Sequence, residues 1–238
     1  MYVLGIETTG PYCSVALIDK NGTIKYKESK DRLNHLKALT PMIDELLKEN
    51  QLTFGDLDAI AVSEGPGSFT GIRIGVSTGR ALSQVTGVKL IGVPTLQAFG
   101  YSLEDFEGIV CPILDARRNQ VYAGAYQEYA QIVKGAPYML EEFLQAVFEA
   151  SFEYPRGTEI VFIGDGTNSY GDAILDFAGA KGLNIKVMRD TYQDAKAVAS
   201  LGKDFLERGM TVDYDKLEPK YMRKAEAQRK LEERLNNG

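Results

Sequence analysis

The residues Glu64-Gly65-Pro66-Gly67-Ser68-Phe69-Thr70-Gly71-Ile72-Arg73-Ile74-Gly75 place four glycines and a proline between an apolar run, Asp58 to Ser63, and a helix-forming segment. A strand entering a glycine loop and then a helix offers unpaired backbone N–H groups to an anion. Neither standard phosphate loop fits the spacing. No Lys-Ser/Thr pair follows Gly71, and Gly65, Gly67 and Gly71 read GxGxxxG, not GxGxxG. A second pattern overlaps the first: Gly71, Gly75, Gly79 and Ser83 recur at every fourth residue, lining one helix side with small groups. Glycine inside a helix costs about 1 kcal/mol relative to alanine, so this ladder requires a close contact. This chain's own sheet and a partner subunit both satisfy that requirement.

Glu7, followed by Thr8-Thr9-Gly10, and Asp115 end apolar runs at corresponding places in the chain. Carboxylates at such strand ends can hold the Mg²⁺ of ATP or ADP through water, but without a second matched motif capping of nearby backbone is the preferred role for Glu7. Gly164-Asp165-Gly166 reads either as a second nucleotide loop or as a plain strand-to-helix turn. His35 is the single histidine, which excludes a two-histidine metal helix and leaves a capping or interface role. Cys13 and Cys111 lie far apart without CxxC spacing, so buried thiols are expected instead of a disulfide framework or zinc site.

These residues are positioned by an alternation of strands and helices that occurs twice. Strands at 2–7, 13–19 and 23–29 precede a helix carrying Leu36, Leu39, Ile43, Leu46 and Leu47, whose regular part is expected from Thr40 because of Pro41. A strand to Ser63, a helix over 72–85, a strand over 89–93 and a helix from Thr95 follow. The second half repeats this with strands at 109–115, 121–126 and 131–133, a helix at 140–149, a strand at 159–163, a helix at 170–179, a strand at 184–188 and a helix at 195–207. Each half reads βββαβαβα. The expected fold is therefore α/β, a duplicated ribonuclease H-like plan of the actin, sugar-kinase and Hsp70 superfamily, with lobes at 1–104 and 105–215 and a tail at 216–238.

Composition narrows the function classes. With 238 residues, 44% hydrophobic and 25% charged, the chain is long enough for a substantial core and is neither disordered nor membranous. Met1 leads directly into an apolar strand, so no leader is expected and a cytoplasmic location is. A net charge of −6 argues against strong independent nucleic-acid binding. From Lys216 onward seven Lys and Arg face four Glu, which reads as a solvated helix with pairs such as Glu226 and Lys230.

Four segments carry a resemblance that spans nearly the whole chain: Leu4-Gly5-Ile6-Glu7-Thr8-Thr9, the glycine run Gly65 to Gly75, Asp115-Ala116-Arg117-Arg118 with Val121-Tyr122, and Pro219-Lys220-Tyr221-Met222-Arg223. In this order they resemble the TsaB (YeaZ) family. The resemblance implies a cytoplasmic, non-catalytic subunit needed for threonylcarbamoylation of the adenosine beside the tRNA anticodon. It implies pairing with the paralogous transferase TsaD, an ATPase partner TsaE, homodimers when alone, tRNA reached only through the complex, and no cofactor requirement of its own. The transferase binds its metal through an HxxxH pair; aligned on the glycine run, those positions are Thr95 and Phe99 here. The interface is expected on the two N-terminal helices, through Leu36, Leu39, Ile43, Leu46, Gly71, Ile72, Arg73, Gly75, Val76, Gly79, Arg80 and Ser83. Residual nucleotide contacts would come from Glu7, Thr8, Thr9, Asp115, Gly164 and Gly166, with ADP or ATP there or at the complex interface.

Two further readings stand beside the scaffold. An actin-like ATP-dependent phosphotransferase would use Glu7, Thr9 and Asp115. A peptidase would need a nucleophile beside His35, and no such constellation is visible.

Overall fold

The computed structural model describes residues 1–29, 31–32, 34–103, 106–128 and 130–222. Its first half contains β1 (Tyr2–Glu7), β2 (Ser14–Asp19), β3 (Ile24–Glu28), α1 (His35–Glu49), β4 (Ala59–Ser63), α2 (Phe69–Thr86), β5 (Lys89–Val93) and α3 (Thr95–Tyr101). The second contains β6 (Ile109–Asp115), β7 (Gln120–Gln127), β8 (Ala130–Met139), α4 (Leu140–Ala150), β9 (Ile160–Ile163), α5 (Gly166–Lys181), β10 (Ile185–Val187) and α6 (Ala195–Glu207). Each half builds a five-stranded sheet, ordered β3-β2-β1-β4-β5 and β8-β7-β6-β9-β10. The first strand of each pairs antiparallel with the second and parallel with the fourth. The fold is thus α/β, with the ribonuclease H-like unit present twice.

β1 is covered on both faces, which explains its almost unbroken apolar sequence. Leu4 and Ile6 pack with Leu39, Ile43 and Leu46 of α1 and with Ile72 and Val76 of α2. Val3, on the opposite face, meets Val198, Leu201 and Phe205 of α6. The approach of α6 is close enough that a Cβ at Gly5 would lie 2.6 Å from the Ala195 carbonyl and 2.7 Å from the Ala199 amide.

The last helices are exchanged between halves. α6 comes from the second half and lies on β1, β2 and β4, whereas α3 comes from the first and lies on β6 and β7. Leu96 and Phe99 of α3 pack with Val110, Leu114 and Tyr126 of the second sheet. A cut at residue 105 therefore divides the sequence but not the packing.

Three helix starts differ from the sequence expectation. α1 begins at His35 and runs through Pro41, whose exposed position leaves the unbonded Lys37 carbonyl open to water. α2 begins at Phe69 because the Ser68 hydroxyl caps it, accepting from Gly71 N at 3.2 Å. It ends at Gly87, in the left-handed region at φ 74°. α5 begins at Gly166, where Thr167 Oγ1 donates to the Gly164 and Met188 carbonyls. The expected pair Glu226 and Lys230 lies outside the described residues. Cys13 and Cys111 are unpaired and buried, and burial pushes the Cys13 thiol up to about 12.

Candidate functional site

Glu7, Thr8 and Thr9 lie at the end of β1 and are 1%, 0% and 2% exposed. A Glu7 carboxylate oxygen accepts from Thr9 N, and Thr8 Oγ1 donates to the Gly71 carbonyl at 2.7 Å. The glycine loop lies directly on this turn. Ser68 N donates to Thr9 O at 2.8 Å, and a Cβ at Gly67 would lie 2.6 Å from Thr9. Opposite, Gln193 covers Gly10, whose Cβ would meet Gln193 Oε1 at 2.9 Å. His35 Nε2–H donates to the Gly10 carbonyl at 2.9 Å, which ties the start of α1 to the same turn. Burial raises the Glu7 carboxyl, against the hydrogen bond from Thr9 N that lowers it.

A phosphate requires free donors and space. The Thr9 and Ser68 amides are engaged within the chain, and Gly67 and Gln193 occupy the two sides of the turn. Gly67 and Gln193 crowd the Thr8-Thr9-Gly10 turn, while Thr9 Oγ1 is buried there without a hydrogen-bond partner among the described residues.

The end of β6 in the second half is likewise bonded within its own lobe. Asp115 N donates to Asp165 Oδ1 at 3.0 Å, while the Asp115 carboxylate accepts from Arg117 N, Tyr170 OH and Ser169 Oγ. Burial raises the Asp165 carboxyl. A Cβ at Gly164 or Gly166 would collide with β6 at Ile113, so both glycines serve strand-to-helix packing. Glu7 and Asp115 each organise their own lobe.

The glycine ladder faces this chain's own sheet. A Cβ at Gly71 would strike the Thr8 carbonyl, one at Gly75 the Thr8 hydroxyl, and one at Gly79 the Val62 side chain. Ser83 Oγ donates to the Val88 carbonyl at 2.6 Å. Leu39, Ile43, Leu46, Ile72 and Val76 are core residues. Of the expected interface set, Leu36 is 78% exposed and Arg73 is exposed, with Arg80 half-buried. The outward side of α2 instead presents Thr70, Ser77, Ala81 and Val85, the last 85% exposed. These positions are absent from the expected set because the glycine spacing marks the inner face; the small residues at 70, 77 and 81 are the signal for the outer one.

Arg73 and Arg80 hold a strap formed by residues 212–222. Arg73 stacks 4.1 Å from the Phe69 ring centroid and donates through Nε to Tyr221 OH at 2.7 Å. Phe69 and Tyr221 stack at 4.4 Å. Arg80 donates to the Leu217 and Asp215 carbonyls at 3.5 and 3.4 Å. Lys220 reaches the buried Glu64 carboxylate, so the Pro219 to Met222 segment is a clasp over the glycine loop.

Thr95 and Phe99 have structural work of their own. Thr95 Oγ1 is bonded to Ser63 Oγ at 2.7 Å and accepts from Gly65 N at 3.1 Å. Phe99 is buried between the lobes.

Comparison with known proteins agrees with this architecture. The sequence model of the family described as "TsaD: tRNA N6-adenosine threonylcarbamoyltransferase" matches residues 29–231. The tRNA threonylcarbamoyladenosine biosynthesis protein TsaB of Bacillus subtilis (strain 168) is 30% identical over 234 residues, covering 97% of each chain. TsaB of Escherichia coli (strain K12) is 27% identical over 237 residues, covering 97% of this chain and 98% of its own. A solved Pseudomonas aeruginosa structure, described as an uncharacterized protein with similarity to peptidase YEAZ, superposes with a TM-score of 0.76 at 24% identity, over 93% of this chain and 99% of its own, and shares the fold. The four segments, the duplicated topology and the full-length match together place the chain in the TsaB (YeaZ) family of tRNA threonylcarbamoyladenosine biosynthesis proteins.

Proposed function

We propose that the chain is a non-catalytic, cytoplasmic subunit that holds a TsaD-type transferase in its working form during threonylcarbamoylation of tRNA. The observation that carries this reading is the fate of the two positions corresponding to the transferase's metal pair: Thr95 is hydrogen-bonded into the glycine loop and Phe99 fills the core between the lobes. Neither side chain points a ligand at a metal. The partner surface is the outward side of α1 and α2: α1 exposes Leu36, and α2 exposes Val85 together with the small residues Ser77 and Ala81. Small outward residues let a second helix pair approach closely, and exposed Leu and Val supply apolar area to bury. The same face pairs two copies of the chain when the transferase is absent, and a TsaE-type ATPase completes the assembly.

The test is tRNA threonylcarbamoylation reconstituted from purified components, with the chain present, omitted and restored. Activity that disappears on omission, returns on restoration and is absent from the chain alone is the expected result. Modification indifferent to omission overturns the role, and ATP turnover by the isolated chain would put the phosphotransferase reading first.

A further inference from the structure

The turn from β6 to β7 and the loops linked to it carry a group of side chains that the partner face does not use. In the turn from β6 to β7, Arg117, Arg118 and Asn119 have φ values of 64°, 55° and 59°. Three successive non-glycine residues in the left-handed region persist only where their surroundings over-determine them. The surroundings here are specific. Asp115 Oδ1 accepts from Arg117 N at 2.7 Å and from Tyr170 OH at 3.1 Å, Gln120 N donates to Arg117 O, and Leu140 N donates to Asn119 O. The carboxylate nearest the turn is therefore engaged with its backbone and with Tyr170. The Arg117 and Arg118 guanidinium groups stand exposed, without a carboxylate or hydrogen-bond partner among the described residues.

Aromatic rings and a third arginine lie on loops linked to the same strand ends. The Arg32 guanidinium lies 5.9 Å from the centroid of the Tyr12 ring, and Tyr12 meets Tyr192 edge-on at 5.4 Å. Asp165, which accepts from Asp115 N at 3.0 Å, joins the end of β6 to the turn after β9. Tyr192 adjoins Thr191, whose hydroxyl accepts from Gly164 N at 2.7 Å. The Tyr12–Tyr192 contact and the Gly164–Thr191 and Asp115–Asp165 hydrogen bonds link this group to the Arg117-Arg118 turn through the backbone.

Guanidinium groups beside aromatic rings match phosphates beside unstacked bases, the chemistry of an RNA loop or single strand. A protein partner's carboxylates would answer the charge but not the pair of half-exposed rings. We propose that the Arg117-Arg118 turn, together with Arg32, Tyr12 and Tyr192, binds a loop or single-stranded segment of the substrate tRNA directly. The inference rests on the tRNA-modification reading above and departs from the expectation that RNA is reached only through the partner subunit.

The experiment measures binding of fluorescently labelled tRNA to the reconstituted complex over a range of salt concentrations. The wild-type chain is compared with the double variant R117A/R118A and with R118G, in which glycine takes the left-handed conformation without strain. The double variant is expected to weaken tRNA binding on the order of tenfold. Its salt slope should fall by about 1 for each phosphate no longer engaged, and R118G should weaken binding by a smaller factor while remaining fully folded. Unchanged affinity and slope in both variants overturn the proposal. Failure of the complex to assemble at unchanged stability also overturns it, because the turn would then meet a protein. Modification that requires the chain but ignores both variants, at unchanged tRNA affinity, rejects this inference alone; modification that proceeds without the chain rejects the pathway role instead.

Discussion

Lys220 is joined to Glu64 twice: its ammonium lies 2.5 Å from the carboxylate, and its backbone amide donates to the Glu64 carbonyl at 2.7 Å. Glu64 is 5% exposed at its side chain and Lys220 62%, so the pair has one desolvated end and one wet end. The clasp therefore fixes the C-terminal strap to the glycine loop at its first residue.

Removing the wet partner should cost more than an ordinary surface ion pair. Lys220→Met leaves the Glu64 carboxylate buried without its cation and should destabilise the chain by about 1–2 kcal/mol, reduced from the fully buried case by solvent screening at Lys220. Urea unfolding at neutral pH measures this directly. The destabilisation should shrink toward acid pH, where Glu64 is protonated.

Glu7 gives a pH dependence of definite sign. Its folded carboxyl is raised by burial, so above the ordinary carboxylate value of about 4.3 the folded state binds more protons than the unfolded state. Stability should then fall as pH rises from that value through the folded pKa. Glu7→Gln removes the buried charge while keeping an acceptor for Thr9 N, and its amide can donate toward Thr9 Oγ1, which has no hydrogen-bond partner among the described residues. Thermal melts across pH should show this slope in the wild-type chain and its disappearance in the variant, with Glu7→Gln more stable than wild type at pH 7.

The ladder glycines should behave as core positions. Gly79→Ala gains about 1 kcal/mol of helix propensity but drives a methyl into Val62, and overpacking of this kind costs about 1–3 kcal/mol. A lowered melting temperature is expected. Gly75→Leu and Gly79→Leu, whose side chains would be driven into Thr8 and Val62, should lose the fold.

Association should respond to the outer side of the same helix. Ala81→Arg and Leu36→Asp alter exposed positions and should leave the melting temperature within about 2 °C of wild type, since such surface changes usually stay within about 0.5 kcal/mol. Gel filtration with the purified transferase should show that the complex no longer forms. Retained complex in both variants would remove the α1–α2 face as the partner surface.

The topology was legible because strand and helix periods differ and occur twice in the same order, and α6 even has the expected limits, Ala195–Glu207. The direction of the ladder was not legible. Glycines at every fourth residue specify close approach but not what approaches, and only the position of Thr8 and Val62 behind Gly75 and Gly79 decides it. The roles of Arg73 and Arg80 were hidden for a related reason. Their partners, Tyr221 and the Asp215 and Leu217 carbonyls, lie over a hundred residues away and carry no local pattern. The Asp115 to Arg118 segment was visible as a motif, whereas its left-handed backbone was not.

The exchanged helices impose an order on synthesis. When the first hundred residues have left the ribosome, the face of β1 that carries Val3 and Gly5 still lacks its cover, since α6 begins at Ala195. Nearly the whole chain must be made before that face is closed, and α3 has no sheet to lie on until β6 and β7 appear. A nascent chain stalled before α6 exposes an apolar sheet surface, the kind of intermediate that chaperones shield and proteases clear.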